Sequence, residues 1–207
     1  EISPQQVEVT GVKITQKSKK MIVIAIIAVI AVAIIAAVGV QTHKKNEAAK
    51  AVAQAKKLSK EYDENLNTAA YSMLSGASDA ETCGNLVKQV WNNAIYEKSD
   101  SETNKFTKPK GYFVSDFNDA LENLYADSDF NSQIDEINDN KDLVNSLMKE
   151  LKNPPKEYKE AYASLSQMYE SYLTLMNLVT DPKGSLQSFT NDFTDADKAV
   201  VQKFDAV

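Results

Sequence analysis

Residues 21–40, MIVIAIIAVIAVAIIAAVGV, contain no charged or strongly polar side chain, and Gly39 is their only member outside the apolar set. At about 1.5 Å per residue, a helix over this run spans about 30 Å, the thickness of a bilayer's hydrocarbon core. A soluble fold would have to hide every face of such a helix inside a large apolar core, and the rest of this chain is polar. The run therefore predicts a single transmembrane helix. It is longer than the apolar part of a signal peptide and follows a polar tail of 20 residues, so a cleaved leader fits it less well. The Ala33-x-x-x-Ala37 pair has the spacing that lets two spans approach closely, but an Ala-rich run contains such a pair by chance. Three segments result: a tail over 1–20, the span over 21–40 and a domain over 41–207. The chain begins at Glu1 without an initiator Met, which leaves room for a further segment upstream.

Charge is distributed unevenly around the span. The net charge of −6 divides into +2 for residues 1–20, none in the span, +5 for residues 41–60 and −13 for residues 61–207. Lysine flanks the apolar run on both sides and does not fix orientation by itself. A long domain crosses a membrane largely regardless of charge, whereas a short Lys-rich tail is easily retained. The expected topology has the tail inside and the domain outside the cell.

The domain reads as helical throughout. From Lys44 to Lys98 no Pro occurs, and apolar residues recur at three- and four-residue spacing. They are Ala51, Ala55, Leu58, Tyr62, Leu66, Ala69, Met73, Ala77, Ala80, Cys83, Val87, Val90 and Ala94, and Trp91 and Ile95 widen the face near its end. Gly76 and Gly84 each weaken a helix by about 1 kcal/mol relative to Ala, which predicts a break near 75–79. Residues 99–112 read as a loop. Ser115 is the expected N-cap of a helix carrying Phe117, Leu121 and Leu124. The pattern loses phase at 126–130 and resumes with Ile134, Ile137, Val144, Leu147, Met148 and Leu151, giving two helices or one kinked helix that ends at Asn153, before Pro154-Pro155. Tyr158, Tyr162, Leu165, Tyr169, Tyr172, Met176 and Val179 then keep a regular 4-3 spacing. After the Asp181-Pro182-Lys183-Gly184 turn, a last helix runs from about Ser185 with Leu186, Phe189, Phe193, Val200, Phe204 and Val207. No useful stretch alternates with period two. The fold class is all-α: an N-terminal transmembrane helix followed by an antiparallel up-down bundle with coiled-coil-like seams.

Composition narrows the chemistry. All 23 basic residues are Lys, and the chain has one His and one Cys. Without Arg there is no guanidinium clamp, and one His with one Cys cannot supply the usual zinc sets, a disulfide or a CxxC pair. His43 is the chain's lone imidazole and reads as an interfacial residue. Cys83 lies on the apolar seam and reads as a small buried hydrophobe. The −13 domain without Arg disfavours nucleic acid.

One segment resembles a metal loop in its spacing. Over 127–138, the EF-hand pattern would place oxygen donors at Asp127, Asp129, Asn131 and Asp135, with Ile134 at the apolar position. Ser132 replaces the turn glycine and Asn138 the closing carboxylate, so the alternative is an acidic helix junction with Asp127 or Asp129 as a cap. Calcium is thus a weak candidate, and no cofactor is expected. The tyrosine stripe could line a ligand groove, but helical spacing points first to core packing with hydroxyls at the rim. Lys44, Lys45, Lys50, Lys56, Lys57 and Lys60 could follow anionic headgroups or an anionic wall polymer, or simply form a solvated face.

The expected function is that of a non-catalytic, membrane-anchored binding or scaffold module. Its partners would be the lipid bilayer and a protein that the sequence does not identify. A ligand sensor coupled to an upstream cytoplasmic domain is the alternative. An enzyme is disfavoured, because the sequence singles out no acid–base pair.

Overall fold

The computed structural model describes residues 44–207. The tail over 1–20, the apolar run over 21–40 and His43 lie outside the described residues. Among the described residues every regular element is helical, and no helix is long and apolar enough to cross a membrane. The elements are α1 (Lys44–Ile95), α2 (Asn104–Thr107), α3 (Phe117–Ala126), α4 (Ser128–Glu150), a 3-10 turn (Lys156–Tyr158), α5 (Lys159–Thr180) and α6 (Leu186–Phe204). Val52–Val207 form one compact unit. A second, Glu1–Ala51, contributes only the first turns of α1 to the described residues.

The contacts of α1 give the direction of its neighbours. Tyr62 meets Leu151, and Cys83 meets Gln133, so α4 runs opposite to α1. Ser59 meets Tyr158, and Gly76 meets Tyr172, so α5 runs with it. Tyr71 meets Phe204 and Trp91 meets Phe189, so α6 runs opposite again. The four long helices thus form a bundle in which successive members alternate in direction. Its core comprises Leu66, Met73, Val87 and Val90 of α1, Ile137, Val144 and Leu147 of α4, Leu165, Tyr172 and Met176 of α5, and Phe189, Phe193 and Val200 of α6. These are the residues that three- and four-residue spacing selects.

Several boundaries differ from the sequence reading. Helix α1 continues unbroken for 52 residues through the expected break at 75–79. Its glycines are sites of close approach: a Cβ on Gly76 would collide with Asn140, and one on Gly84 would collide with the Phe193 ring. Packing gained at those contacts outweighs the low helix propensity of Gly. Ile95 does not widen the buried face and is 41% exposed, whereas Trp91 is buried between Phe117 and Phe189.

The segment over 99–112 is more ordered than a loop. It contains α2, and Thr103, Phe106 and Thr107 are buried. Asn93 donates to Thr103 Oγ1 at 2.9 Å, so a polar pair ties this segment to the end of α1. That end closes with Glu97 in the left-handed region at φ 49°, while the Lys98 amide donates to the Asn93 carbonyl. This is a Schellman-type stop without the usual glycine.

The N-cap of α3 is Asp116, not Ser115. Its carboxylate accepts from the Asn118 amide and from the Asn118 side chain, both at 2.9 Å. Two helices follow, divided at Asp127, whose extended backbone at ψ 128° interrupts the helical hydrogen bonds. Helix α4 ends at Glu150, three residues before the expected Asn153, where Leu151 caps it. Ser185 caps α6 in a reciprocal box with Ser188, after a turn in which Gly184 takes φ +85°.

Candidate functional site

The polar side chains most able to do chemistry lie between the helices, where packing positions them. Tyr62 donates its hydroxyl to the Leu151 carbonyl at 2.8 Å, and Tyr158 donates to the Ser59 carbonyl at 3.0 Å. Further along, Tyr169 donates to Asn145 Oδ1 and Tyr172 to Asn140 Oδ1, the latter at 2.7 Å. Tyr125 of α3 donates to the Val179 carbonyl at the end of α5. Of the stripe's tyrosines, Tyr158, Tyr169 and Tyr172 use their part-buried hydroxyls to bond across helix pairs. Burial favours the neutral phenol: it pushes Tyr62 up to about 12 and moves Tyr125, Tyr169 and Tyr172 in the same direction.

Cys83 is buried, as its place on the seam predicts, and its thiol points to Gln133 Oε1 at 3.3 Å. Burial, with the carboxylates of Asp79 and Glu136 adding to it, pushes the thiol up to about 11. A thiol held protonated in this way is a poor nucleophile.

The weak calcium candidates fall at the N-cap of α4 and in its first turns. Asp127 accepts from the Phe130 amide at 3.2 Å as the N-cap of α4, and from Lys105 Nζ at 2.8 Å. Those two donors, Lys105 first, hold its carboxyl below the usual carboxylate range. Asp129, Asn131 and Asp135 follow inside α4, where residues two apart point about 200° from one another. A calcium loop needs them to converge. Among the described residues, no three His, Cys, Asp or Glu side chains gather as a metal site.

Three groups emerge only in the fold. Asn140 sits between Ile137 and Val144 on the buried side of α4 and faces both Gly76 and Tyr172. A polar residue at a seam position is the sequence signal for it. Glu81 of α1 is exposed and Asp197 of α6 half-buried, and both are raised, by partial burial first. For Glu81 the Asp197 charge adds to that effect, whereas the nearby Lys88 opposes it for both. Trp91 Nε1 is buried without a hydrogen-bond partner among the described residues, although its ring packs against those of Phe117 and Phe189.

Open depressions mark the surface of the described residues. One, of about 390 Å³, lies between α1 and α6 and is lined by Asn85, Lys88, Gln89, Asn92, Asn93, Leu186 and Thr190. Another, of about 360 Å³, lies between α5 and α6 beside Ser171, Asp192 and Asp195. Gln89 is already bonded to Asp100, Asn92 to Lys98 and Asn93 to Thr103.

The apolar face of α1 is buried only in part. From Leu66 onward it packs into the bundle, but Val52 is 57% and Leu58 50% exposed, and Ala51 and Ala55 are exposed too. The expected seam therefore outruns its helical neighbours, because α4 stops at Glu150 and α5 begins only at Lys159. The chain matches no protein-family profile, and comparisons with curated proteins and with solved structures find no similar protein.

Proposed function

We propose that this protein is a single-pass, membrane-anchored helical bundle, antiparallel and with coiled-coil-like seams, that binds or scaffolds a partner at the outer face of the membrane without catalysis. The observation that carries this reading is the division of its side chains. Cys83 and five tyrosine hydroxyls are engaged between helices, whereas apolar side chains of α1 remain open over Val52–Leu58. Chemistry needs reactive groups that converge on a substrate. Binding needs a surface whose burial is still to come. The anchor comes from residues 21–40, whose length and apolarity suit a bilayer core. Confining the domain there raises its effective concentration toward partners in the same membrane.

Alkaline carbonate extraction of the full chain tests the anchor: the protein is expected to stay with the membrane pellet, and release into the supernatant overturns the anchor. Ala206→Cys in a Cys83→Ala background tests orientation. Labelling by an impermeant maleimide in intact cells is expected, and labelling only after lysis places the domain inside.

A further inference from the structure

We propose that Val52, Ala55 and Leu58 of α1 form a docking stripe for an acidic amphipathic helix of a partner protein. This deepens the reading as a binding module by naming the surface and the chemistry of what it binds. At about 100° per residue, Ala55 and Leu58 continue the face of Tyr62, Leu66 and Ala69, and Val52 stands at its edge, about 120° round from Leu58. Inside the bundle that face is covered by other helices. The cover ends where the Tyr62 hydroxyl reaches the Leu151 carbonyl at 2.8 Å and Tyr158 reaches Ser59. N-terminal to this level the face keeps its spacing, and Val52 and Leu58 stand open to solvent.

The shape of the stripe suits a helix. Ala55 between two larger residues allows the close interaxial approach of helix pairs, and the spacing is the one a partner seam would mesh with. Charge selects the partner. Between Glu47 and Glu61 the only ionisable side chains are lysines. Lys56 borders the stripe, and Lys57 and Lys60 lie further round the same turns. Lys57 pairs with the half-buried Glu61 at 3.6 Å and Lys60 with the exposed Glu64 at 3.3 Å, both through exposed ammonium groups and weak enough to exchange for a partner's carboxylates. A second copy of the same segment would bring lysine against lysine. The chain's own tail, at +2, has the wrong sign as well.

The test uses the full chain in phosphatidylcholine nanodiscs. Its probes are two fluorescent designed peptides with the same Leu/Ala seam, one flanked by Glu and one by Lys. The Glu peptide is expected to bind about tenfold or more tightly than the Lys peptide and to weaken on raising salt from about 50 to about 500 mM. Binding should also fall about tenfold in K56E/K57E/K60E and be lost in V52S/L58S. These side chains are exposed, so unchanged thermal melting is expected in both variants. Equal binding of the two peptides, or binding indifferent to V52S/L58S, overturns the proposal. So does self-association in sedimentation that V52S/L58S abolishes, which would make a second copy the occupant. Tighter association with phosphatidylglycerol vesicles that depends on the same lysines would make a membrane the occupant and overturn it as well. A chain that fails to enter nanodiscs contradicts the anchor alone, since peptide binding can then be measured in solution.

Discussion

Gly76 of α1 faces Asn140 of α4 so closely that a Cβ there would collide with the Asn140 side chain, whose Oδ1 accepts from Tyr172 at 2.7 Å. Three helices meet at that point, and the absent side chain makes room for a polar contact between them. At Gly84 the same device admits the buried ring of Phe193.

Replacing either glycine by Ala sets a helix-propensity gain of about 1 kcal/mol against overpacking of about 1–3 kcal/mol. Overpacking should win at Gly84, because the obstructing atoms belong to a buried ring. Gly84→Ala is expected to lower the midpoint of thermal unfolding followed by circular dichroism. Adding Phe193→Leu should restore part of the loss, and a variant more stable than the parent would contradict the close approach.

Removing the Tyr172 hydroxyl leaves the Asn140 oxygen without its donor. Tyr172→Phe is expected to cost about 1–2 kcal/mol in urea unfolding. The slope of free energy against denaturant should stay unchanged, since the surface exposed on unfolding is the same.

The Cys83 thiol, pushed up to about 11 and buried, should resist aromatic disulfide reagents at pH 8 in the native protein. One equivalent should react after unfolding in urea. Rapid labelling under native conditions would show that the seam opens at this level.

Asp197 and Glu81 are raised above their ordinary values. Their folded forms therefore bind protons more tightly than the unfolded chain does. The stabilisation this gives is complete below the ordinary carboxylate range and is lost as pH rises through the raised values. Asp197→Asn should accordingly raise the unfolding midpoint at pH 8 and make little difference at acid pH. A midpoint gain that does not depend on pH would remove the titration as its cause.

Glu97 holds φ 49° at the end of α1, a conformation that Gly adopts without a Cβ penalty. Glu97→Gly should be neutral or stabilising by up to about 1 kcal/mol, despite greater chain freedom in the unfolded state. A clear loss of stability would mean that the Glu97 side chain contributes to the cap.

The helical class and most of the core were legible because periodicity is local. Ile137, Val144, Leu165, Met176, Phe189 and Phe193 can be selected by spacing alone, and all are buried. The N-cap of α3 was legible to within a residue, as Asp116 in place of Ser115 shows. Partners that lie dozens of residues apart were not. Nothing near Gly76 announces Asn140, and nothing near Asp197 announces Glu81, because their environments are made by helices docking side by side. For the same reason propensity predicted a break at Gly76, where close packing keeps the helix whole.

By itself, the sequence determined the helical periodicity, the apolar run at 21–40 and the shift from a lysine-rich to an acidic region, all properties of neighbours along the chain. Only the tertiary structure decided which part of that periodic face is covered. Over Leu66–Ala94 other helices bury it, whereas over Val52–Leu58 it stays open, because α4 has already ended and α5 has not begun. Burial depends on what stands opposite a residue, and spacing along one helix carries no information about that.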